Sequence, residues 1–504
     1  MIRQQKTILV VALILIANAA LAQTIRIGSK IDAEGRILGE IMAQLLEDRG
    51  LQVERRFGLG ATLICFEALT RGEIDLYPEY TGTLEQAILK AAPGLSFKAL
   101  QLQLRDQHRL ELLPPFGFNN TYALVVRRPD AERLDLQTIG DLAKAQNLRF
   151  GFSHEFLQRP DGWPGLVKAY GLRATPRGIE HGLIYKAIAE KELDVIDAYS
   201  TDANIKRYDL IILRDDKHFF PTYLAAPLAR LDLAENAKQV LNELAGILNE
   251  EQMTELNAAA TIERKPFSAI GHEFLQKRNL LGDENAAETA NENRWRTLLG
   301  RTFTHVKLTA IALALAMLIA IPAGVIVYRV PVISKPILYL TGLLQTIPSI
   351  ALLGFMIPIF GIGFKPAVVA LFLYALLPIL RNTAVALFSI DPLLKKVATG
   401  MGLTTWQRLR HVEMPLAAPT ILAGIKTAAV ISIGTATLAA FIGAGGLGEP
   451  IVTGLALNDT AIILEGAIPA AALAVVAEFA FEFLEKILVP RHLLQKEMAS
   501  DRRP

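Results

Sequence analysis

The sequence is poor in cysteine and carries almost no net charge. Its 504 residues contain one cysteine, and 52 basic against 50 acidic side chains leave a formal charge of +2. A single cysteine excludes an internal disulfide and a cysteine-rich metal site, and Cys65 lies in an apolar helical stretch that predicts a buried thiol. Near-neutrality gives no charge-based reason to expect nucleic-acid binding. The eight histidines are scattered, without a Ser-His-Asp set or metal-ligand cluster, so no metal is expected and an enzyme is the weakest interpretation.

The sequence also lacks a phosphate-binding loop. No stretch fits the pattern G-x-x-x-x-G-K-[ST], and the glycine-rich segment GAGGLGEP (443–450) contains no lysine. We therefore expect that this chain binds no cofactor, and that any ATP used in its function is hydrolysed by a partner subunit.

Long apolar runs fill the C-terminal part of the chain. Overall, 52% of the residues are apolar and the mean hydropathy is +0.32, which is too apolar for an ordinary soluble protein. Charged residues become scarce after Arg301, in runs long enough to cross a membrane. Glu478 lies in the last run, where an acid is costly, and is expected to pair with another side chain or to face the pore. We predict five transmembrane helices, near residues 306–328, 337–360, 366–389, 420–444 and 462–487.

Residues 1–22 have the pattern of a secretory signal peptide. Arg3 and Lys6 precede an apolar run from Thr7 to Ala19, and Ala20-Leu21-Ala22 is a small-x-small cleavage site. Cleavage before Gln23 is expected, with an uncut N-terminal anchor as the alternative.

Basic residues are concentrated on one side of the predicted helices. If the N-terminal half is exported, the inner loops are 329–336, 390–419 and the tail after Pro490, and together they hold ten basic residues. The outer loops, 361–365 and 445–461, hold only Lys365, which agrees with the positive-inside rule. We therefore expect a multi-pass protein of the plasma (inner) membrane with a periplasmic or extracellular N-terminal domain and a cytoplasmic C-terminus.

The N-terminal half shows an α/β pattern with parallel strands. The stretch TIRIGSK alternates apolar and polar residues, and EGRILGEIMAQLLEDRG places its apolar residues on one helical face before Gly50. Two similar segments, GEIDLYPEYT and KELDVIDAYST, each follow a helix and each end a short strand at a tyrosine, Tyr80 and Tyr199. Ligands in such sheets lie beyond the carboxyl ends of the strands. Two lobes that face each other across a cleft would bring these tyrosines together.

The motifs of residues 23–293 resemble the substrate-binding proteins of ABC importers for quaternary-ammonium osmoprotectants such as glycine betaine, choline and carnitine. The resemblance implies a two-lobe periplasmic-binding-protein fold (type II), with lobe 1 at about 23–125 and 224–293 and lobe 2 at about 126–223. The matching stretches run in order through almost the whole domain and are GSK (28–30), GEIDLYPEYTGT (72–83), GFNNTYAL (117–124), EFLQRPDGWPGL (155–166), DVIDAYSTDANI (194–205) and DDKHFFPTYLAAPL (215–228).

The resemblance also implies a ligand site. A trimethylammonium group offers no conventional N–H donor, so aromatic faces suit it better than a carboxylate, at up to about 2 kcal/mol for a desolvated cation–π pair. The family's four-tyrosine cage corresponds to Tyr80, Tyr122, Tyr199 and Tyr223. The residues that correspond to the family's carboxylate ligands are Lys30, Thr83 and Arg159.

One position departs from the family pattern. Many members read N-F-T-E-Q after GSK, and that glutamine approaches the ligand, whereas this chain reads Ile31-Asp32-Ala33-Glu34-Gly35. Gly35 has no side chain to supply the contact, so the identity of the solute stays open.

Residues 300–490 resemble the permease subunits of the same importers, and we place the permease domain at 294–504. The segment VATGMGLTTWQRLRHVEMPLAAPTILAGIK (397–426) matches their cytoplasmic EAA loop, which docks on the ATPase subunit, although Lys396 and Val397 stand where its first two letters would be. We place the loop at 390–419. Its expected coupling residues are Ala398, Gly402, Arg408, Val412 and Pro415.

Together these features predict a binding protein fused to the permease of an ABC importer. A chain with five spans is expected to pair with a second copy, or with another permease, to line the pathway. An importer of an amino acid or of another small zwitterion is the first alternative. A membrane-tethered solute sensor is the second, and the EAA-like loop argues against it, because a sensor needs no ATPase dock.

Overall fold

The computed structural model describes residues 24–91, 94–145, 147–281, 294–457 and 459–489. They divide into two compact units: the first contains the chain up to residue 292 together with 453–459, and the second contains 293–452 and the chain from residue 460 onward. The expected signal peptide, 1–22, and the cytoplasmic tail after Pro490 lie outside the described residues.

The first of two sheets in the N-terminal unit contains five strands in the order β2-β1-β3-β10-β4. The first three are parallel, and β10 runs antiparallel to both of its neighbours, β3 and β4. These strands are Ile25–Lys30 (β1), Val53–Gly60 (β2), Leu76–Tyr80 (β3), Leu110–Leu112 (β4) and Ala225–Arg230 (β10).

The second sheet also has five strands, in the order β7-β6-β8-β5-β9. Its central pair, β5 and β8, is antiparallel and sets Tyr122 directly opposite Tyr199. Because β5 belongs to this sheet, the first crossover ends a few residues before the expected lobe boundary near 125. The strands are Tyr122–Arg127 (β5), Phe150–Ser153 (β6), Arg177–Ile179 (β7), Val195–Tyr199 (β8) and Leu210–Ile212 (β9).

Helices cover both sheets. The helix Ala33–Asp48 begins at Asp32, whose carboxylate accepts from the backbone N–H of Gly35, and buries its apolar face against the first sheet. The helices of this unit are Ala33–Asp48 (α1), Thr62–Thr70 (α2), Phe97–His108 (α3), Arg128–Leu134 (α4), His154–Gln158 (α5), Trp163–Tyr170 (α6), His181–Ala189 (α7), Ala203–Arg207 (α8), Glu235–Asn242 (α9), Glu250–Thr261 (α10) and Phe267–Lys277 (α11), with single helical turns at Thr81–Thr83, Leu84–Ile88 and Ile139–Ala143.

Each sheet has its own hydrophobic core. One core packs α1, α9, α10 and α11 onto the first sheet, and the other lies around β5, β6 and α6. Two crossovers join the lobes, and Asn119 of the first forms a bridge with Leu224 of the second. The predicted two-lobe α/β fold is therefore confirmed. Cys65 is buried and free, as expected, and burial raises the pKa of its thiol.

The elements of the C-terminal unit are all helical, and its described residues contain no strand. Four helices are long and apolar enough to cross a membrane, or five spans result if one bent pair counts as a single span. The helices are Arg294–Arg329 (α12), Pro331–Thr346 (α13), Ser349–Phe360 (α14), Phe364–Ser389 (α15), Pro392–Gly400 (α16), Thr405–Arg408 (α17), Met414–Ala436 (α18), Gly448–Ala456 (α19) and Thr460–Leu488 (α20), with a π turn at Leu409–Glu413 and a 3₁₀ turn at Thr437–Ile442.

The bent pair corresponds to the second predicted span, 337–360. Its two helices meet at an angle of 98° because Pro348 cannot continue α13 and holds Ile347 in an extended conformation. The hydroxyl of Tyr374, on α15, donates a hydrogen bond to the carbonyl oxygen of Ile347 at this break.

Glu478 in α20 is paired rather than alone. Its carboxylate lies 3.0 Å from the ammonium of Lys426 in α18, and Glu482, one turn further along α20, lies 3.4 Å from the same ammonium. A cation on one helix and two acids on the next therefore form a charged contact within the apolar part of the chain.

Candidate ligand-binding site and coupling loop

Three of the four predicted cage tyrosines are in ring contact. The ring centroid of Tyr122 lies 5.2 Å from that of Tyr199 and 5.8 Å from that of Tyr223, the latter in an edge-to-face arrangement at 87°. Tyr122 and Tyr223 are buried, and Tyr199 is half-buried. Their neighbour Phe220 lies 6.3 Å from Tyr122 and was not among the predicted site residues.

Tyr80 joins this group from the other lobe. It is the last residue of β3, pairs with Ala225 of β10, and packs against the cores of both lobes. All four predicted tyrosines thus belong to one aromatic cluster where the lobes meet.

Gly82 brings the chain close to the cage. A Cβ on this residue would lie 2.6 Å from the ring of Tyr223, so only a glycine lets the turn after Tyr80 pass over that ring. Thr81 fastens the same turn, because its hydroxyl donates to the carbonyl oxygen of Thr222 at 3.0 Å and accepts from the N–H of Leu224 at 3.0 Å.

The phenols of the cluster stay neutral. Burial raises the pKa of Tyr80, Tyr122, Tyr199 and Tyr223 well above the usual tyrosine value, with nearby acids adding to the shift. Neutral rings that present a negative face, with little water around them, can hold a cation that donates no hydrogen bond.

Lys30 is bound by an acid. Its ammonium lies 2.6 Å from the carboxylate of Glu79, which is fully buried, and 5.1 Å from the ring centroid of Tyr80. Burial alone would lower the pKa of Lys30, but Glu79 and the more distant Glu155 outweigh it, and the pKa is raised. An ammonium has three N–H donors, so the pair with Glu79 leaves capacity for a further acceptor.

Arg159 is also paired, and it contacts two cage rings. Its guanidinium forms a two-pronged pair with Asp161, with hydrogen bonds of 2.8 and 2.6 Å, and contacts Glu155 at 3.2 Å. The same group lies 5.5 Å from the ring centroid of Tyr122 and 6.0 Å from that of Tyr223. The phenol of Tyr223 donates to Asp161, so one acid holds both side chains.

Thr83 is placed less directly. It is buried in the turn after Tyr80, but no hydrogen bond joins its hydroxyl to Lys30 or Arg159 among the described residues. The structure therefore brings the tyrosines together with Arg159 and Lys30, while Thr83 lies beside them without a direct bond.

Sequence reasoning missed three side chains that organise this site. Glu34 accepts a hydrogen bond of 2.6 Å from the phenol of Tyr80. Asp161 fixes Arg159, and the ring of His181 lies 4.6 Å from the ring of Tyr199. Asp161 follows Arg159 by two residues in the RPDG stretch, and this short spacing was a sequence signal for their ion pair. The contacts of Glu34 and His181 depend on tertiary structure, so no local pattern indicates them.

The predicted coupling loop, 390–419, forms two short helices and a π turn. Asp391 caps α16, and Gly402 then takes a φ of +81°, which turns the chain toward α17. A Cβ on Gly402 would meet no described atom within 4 Å, so the glycine serves the backbone conformation rather than a close approach within this chain. Ala398 is the buried residue of α16, Val412 lies in the π turn, and Pro415 is in the first turn of α18.

A buried acid fastens this loop. Glu413 is fully buried and lies 2.8 Å from Arg408 of α17 and 2.9 Å from Arg329 at the end of α12. Arg408 also donates to the hydroxyl of Thr399 at 2.9 Å. The EAA pattern lacks its usual first acid here, but Glu413 supplies a carboxylate that joins the loop to the first long helix of this unit.

The loop keeps apolar side chains exposed. Leu393, Val397, Met401 and Trp406 are each more than half exposed on α16, α17 and the turn between them. A cluster of this kind at the end of a helical unit is typical of a surface that docks on another protein.

Two family models match the chain. Residues 23–277 match the substrate-binding domain of the ABC-type glycine betaine transport system (OpuAC), and residues 312–493 match the inner membrane component of binding-protein-dependent transport systems.

Curated relatives match each half. The osmoprotectant import permease protein OsmW of Salmonella typhimurium is 46% identical over 199 residues, which cover 38% of this chain and 93% of that protein. The carnitine transport binding protein OpuCC of Listeria monocytogenes is 34% identical over 277 residues, 52% of this chain and 89% of that protein. The ergothioneine transport permease/ergothioneine binding protein EgtU of Helicobacter pylori is 34% identical over 271 residues, 52% of this chain and 49% of that protein.

The two-lobe unit with its aromatic cluster and the helical unit with its EAA-like loop correspond to these two models, one after the other. The chain therefore belongs to the binding-protein-dependent ABC transport family and combines a substrate-binding domain with an inner membrane permease component in one polypeptide.

Proposed function

We propose that this ABC importer component captures a small quaternary-ammonium zwitterion, such as glycine betaine or carnitine, and also choline. The single observation that carries the proposal is the cluster of four neutral tyrosines where the lobes meet, with Tyr122 and Tyr199 5.2 Å apart. Several aromatic faces suit a trimethylammonium group, each contributing up to about 2 kcal/mol once water is excluded.

The zwitterion's carboxylate has candidate partners beside the rings. Arg159 and Lys30 both lie against cage tyrosines, and both keep N–H donors beyond those taken by Asp161 and Glu79. A betaine places its two charges a few bonds apart, so one molecule can contact the rings and a cation together. Choline has no carboxylate and would use the rings alone.

We place the binding unit outside the cell and the coupling loop inside. The excess of basic residues in the inner loops and the N-terminal signal pattern both support this orientation. The exposed apolar side chains of the loop then face the cytoplasm, where an ABC ATPase subunit would dock and hydrolyse ATP. A second copy of the chain would complete the pathway.

Ergothioneine is a second candidate solute. It also carries a trimethylammonium group beside a carboxylate, and the relative named for it is a permease and a binding protein together, as this chain is. Gly35 supplies no side chain at the position where many family members have a glutamine, so that contact does not restrict the solute here.

The test is a calorimetric titration of the full-length chain in lipid nanodiscs. Glycine betaine, carnitine, choline and ergothioneine are the ligands, and methionine is the control, because its α-ammonium prefers a carboxylate to aromatic faces. We expect saturable binding of at least one quaternary amine and none of methionine. Binding of methionine alone would replace the proposal with an amino-acid importer.

Transport is tested separately in liposomes. The chain is reconstituted with its ATPase subunit, and uptake of the solute that binds best is followed with and without ATP. Uptake that needs both subunits supports the importer. Uptake that persists without any ATPase would contradict it, and ligand binding with no uptake under any condition would favour a sensor.

A further inference from the structure

A buried carboxylate in the binding unit receives four hydrogen bonds. Glu34 lies in the first turn of α1 and is 5% exposed. One of its oxygens accepts from the phenol of Tyr80 at 2.6 Å and from the amide of Asn120 at 2.8 Å. The other accepts from the hydroxyl of Thr201 at 2.6 Å and from the amide of Asn257 at 2.8 Å. No cation pairs with it among the described ion pairs.

The four donors come from both lobes and from the connection between them. Tyr80 ends β3 and Asn257 lies in α10, both in the first lobe. Asn120 belongs to the first crossover, two residues before β5. Thr201 follows β8 in the second lobe. Glu34 is therefore hydrogen-bonded to the first lobe, to the first crossover and to the second lobe, whose relative positions change when the lobes open or close.

Thr201 is held at three points. Besides its bond to Glu34, its carbonyl oxygen accepts from the amide of Asn257 at 3.1 Å, and its N–H donates to the side-chain oxygen of Asn120 at 3.4 Å. It is 1% exposed. A rotation of the second lobe away from α1 has to break these bonds, and it leaves the carboxylate of Glu34 short of a donor in a buried place.

The hydrogen bonds select the charged form of Glu34. An ionised carboxylate has about four acceptor sites and no donor, and four donors occupy them. Burial opposes the charge and raises the pKa of Glu34, while Thr201, Tyr80 and Asn257 act in the opposite direction. The other titratable groups that face it are Tyr80 itself, whose phenol stays neutral, and Asp32 at the N-cap of α1, which adds repulsion.

We propose that Glu34 is a positioning residue that couples the Tyr80 wall of the cage to the closed angle between the two lobes. This proposal rests on the proposed function, which assigns Tyr80 to the cage. Glu34 does not itself contact the solute, because its acceptor sites are already filled. It holds the ring of Tyr80 in place, and the charge-assisted bond to the phenol enriches the ring's electron density, which strengthens the attraction of a cation.

Two variants separate this role from a general effect on folding. Glu34→Gln keeps the shape but turns an acceptor into a donor that faces two other donors. Thr201→Val removes only the donor from the second lobe and leaves the carboxylate in place. Tyr80→Phe is the matched control, because it keeps the ring and loses the bond to Glu34.

The measurement uses the full-length chain in nanodiscs, labelled for single-molecule energy transfer at Leu102→Cys in the first lobe and Lys144→Cys in the second. Leu102 is 52% exposed and the side chain of Lys144 is 83% exposed, whereas the native Cys65 is fully buried and does not compete for the label. Glycine betaine, carnitine, choline and ergothioneine are titrated, and the inter-lobe distance and the Kd are recorded at a series of pH values.

We expect Glu34→Gln to weaken binding about tenfold or more and to reduce the closed fraction with and without ligand. Thr201→Val should reduce the closed fraction, and Tyr80→Phe should retain it while binding more weakly. The affinity of the unmodified chain should fall as the pH drops through the raised pKa of Glu34, and that of Glu34→Gln should not.

An unchanged closed fraction in Thr201→Val would overturn the proposal even if Glu34→Gln failed to fold. A pH profile shared by Glu34→Gln and the unmodified chain would overturn it as well. If no quaternary amine binds the unmodified chain, the proposed function fails, while the ligand-free closed fraction still reports on Glu34.

Discussion

Tyr122 and Tyr199 stand directly opposite each other on two antiparallel strands, and their ring centroids lie 5.2 Å apart. The backbone sets the spacing of cross-strand partners, so the two side chains start next to each other on one face of the sheet. In the proposed cage, the second lobe thus supplies two neighbouring aromatic walls without a ligand. Tyr80, from the first lobe, is the wall whose position depends on the angle between the lobes.

Tyr199→Ala is expected to abolish measurable binding of the preferred quaternary amine, or to weaken it about 30-fold, because a desolvated cation–π pair contributes about 2 kcal/mol. Tyr199→Phe keeps the aromatic face and should retain most of the affinity. Calorimetric titration of the full-length chain gives both values. Tyr208→Ala, which removes a tyrosine of the same lobe outside the cage, is the control. Equal loss in Tyr199→Ala and Tyr208→Ala would remove Tyr199 from the site.

Gly82→Ala is expected to weaken binding about tenfold, because its Cβ would lie 2.6 Å from the ring of Tyr223 and that ring is held by Asp161. Overpacking of this size costs about 1–3 kcal/mol. Gly300→Ala is the control, since a Cβ there meets no described atom within 4 Å. The Kd of each variant is compared, and unchanged affinity in Gly82→Ala would show that the turn can move away from Tyr223 freely.

Glu413→Gln is expected to destabilise the helical unit by about 1–3 kcal/mol, because it removes the charge of the fully buried acid that Arg329 and Arg408 share. Thermal unfolding in nanodiscs measures the loss. Arg410→Gln removes an exposed charge from the same loop and should leave the unfolding temperature unchanged. Solute-stimulated ATP hydrolysis by the partner subunit should fall in Glu413→Gln and stay normal in Arg410→Gln. Normal hydrolysis in Glu413→Gln with reduced hydrolysis in Arg410→Gln would show that Glu413 has no role in coupling.

Stability of the binding unit is expected to fall as the pH rises through the titration of His181. Burial alone would lower the pKa of His181, but Asp202, 3.4 Å away, and Asp197 outweigh it, and the pKa is raised above the ordinary histidine value. The stability that the pair with Asp202 contributes is therefore fully present below the pKa of the histidine in the unfolded chain, and it is lost as the pH rises through the raised pKa of His181 in the folded protein.

Apparent unfolding temperatures measured across a pH series test this prediction, and their slope against pH gives the contribution of His181. His181→Asn should remove it, whereas His108→Gln should not, because burial lowers the pKa of His108 and gives its contribution the opposite sign. A slope that survives in His181→Asn would assign the effect to another group.

The strand ends could be predicted from local pattern, and the contacts that complete the site could not. Tyr80 and Tyr199 each end a strand that follows a helix, one in each lobe, and ligands lie beyond the carboxyl ends of such strands, so the sequence predicts that the two residues meet across the cleft between the lobes. Lys30 and Glu79 are 49 residues apart, and their pairing depends on which strands become neighbours. The four hydrogen bonds to Glu34 come from four separate segments, and they depend on the docking of the lobes in the same way.

In the helical unit, too, the sequence predicts the elements but not the contacts that shape them. The apolar runs predict the long helices well, because length and composition decide whether a segment can span a bilayer. The run 337–360 was predicted as one span, yet the structure ends α13 before Pro348 and bends the chain by 98°. How far a proline bends a helix depends on what satisfies the freed backbone groups, and that partner is on another helix.

The break at Pro348 bears on how the protein is made. A segment that enters a bilayer alone must satisfy every backbone polar group within itself, and α13 and α14 cannot, because the carbonyl of Ile347 takes its hydrogen bond from Tyr374 of the following helix. The second hydrophobic segment therefore reaches its final shape only after α15 has been synthesised and inserted. Biogenesis of this unit is then a joint event of three consecutive helices rather than a series of independent insertions.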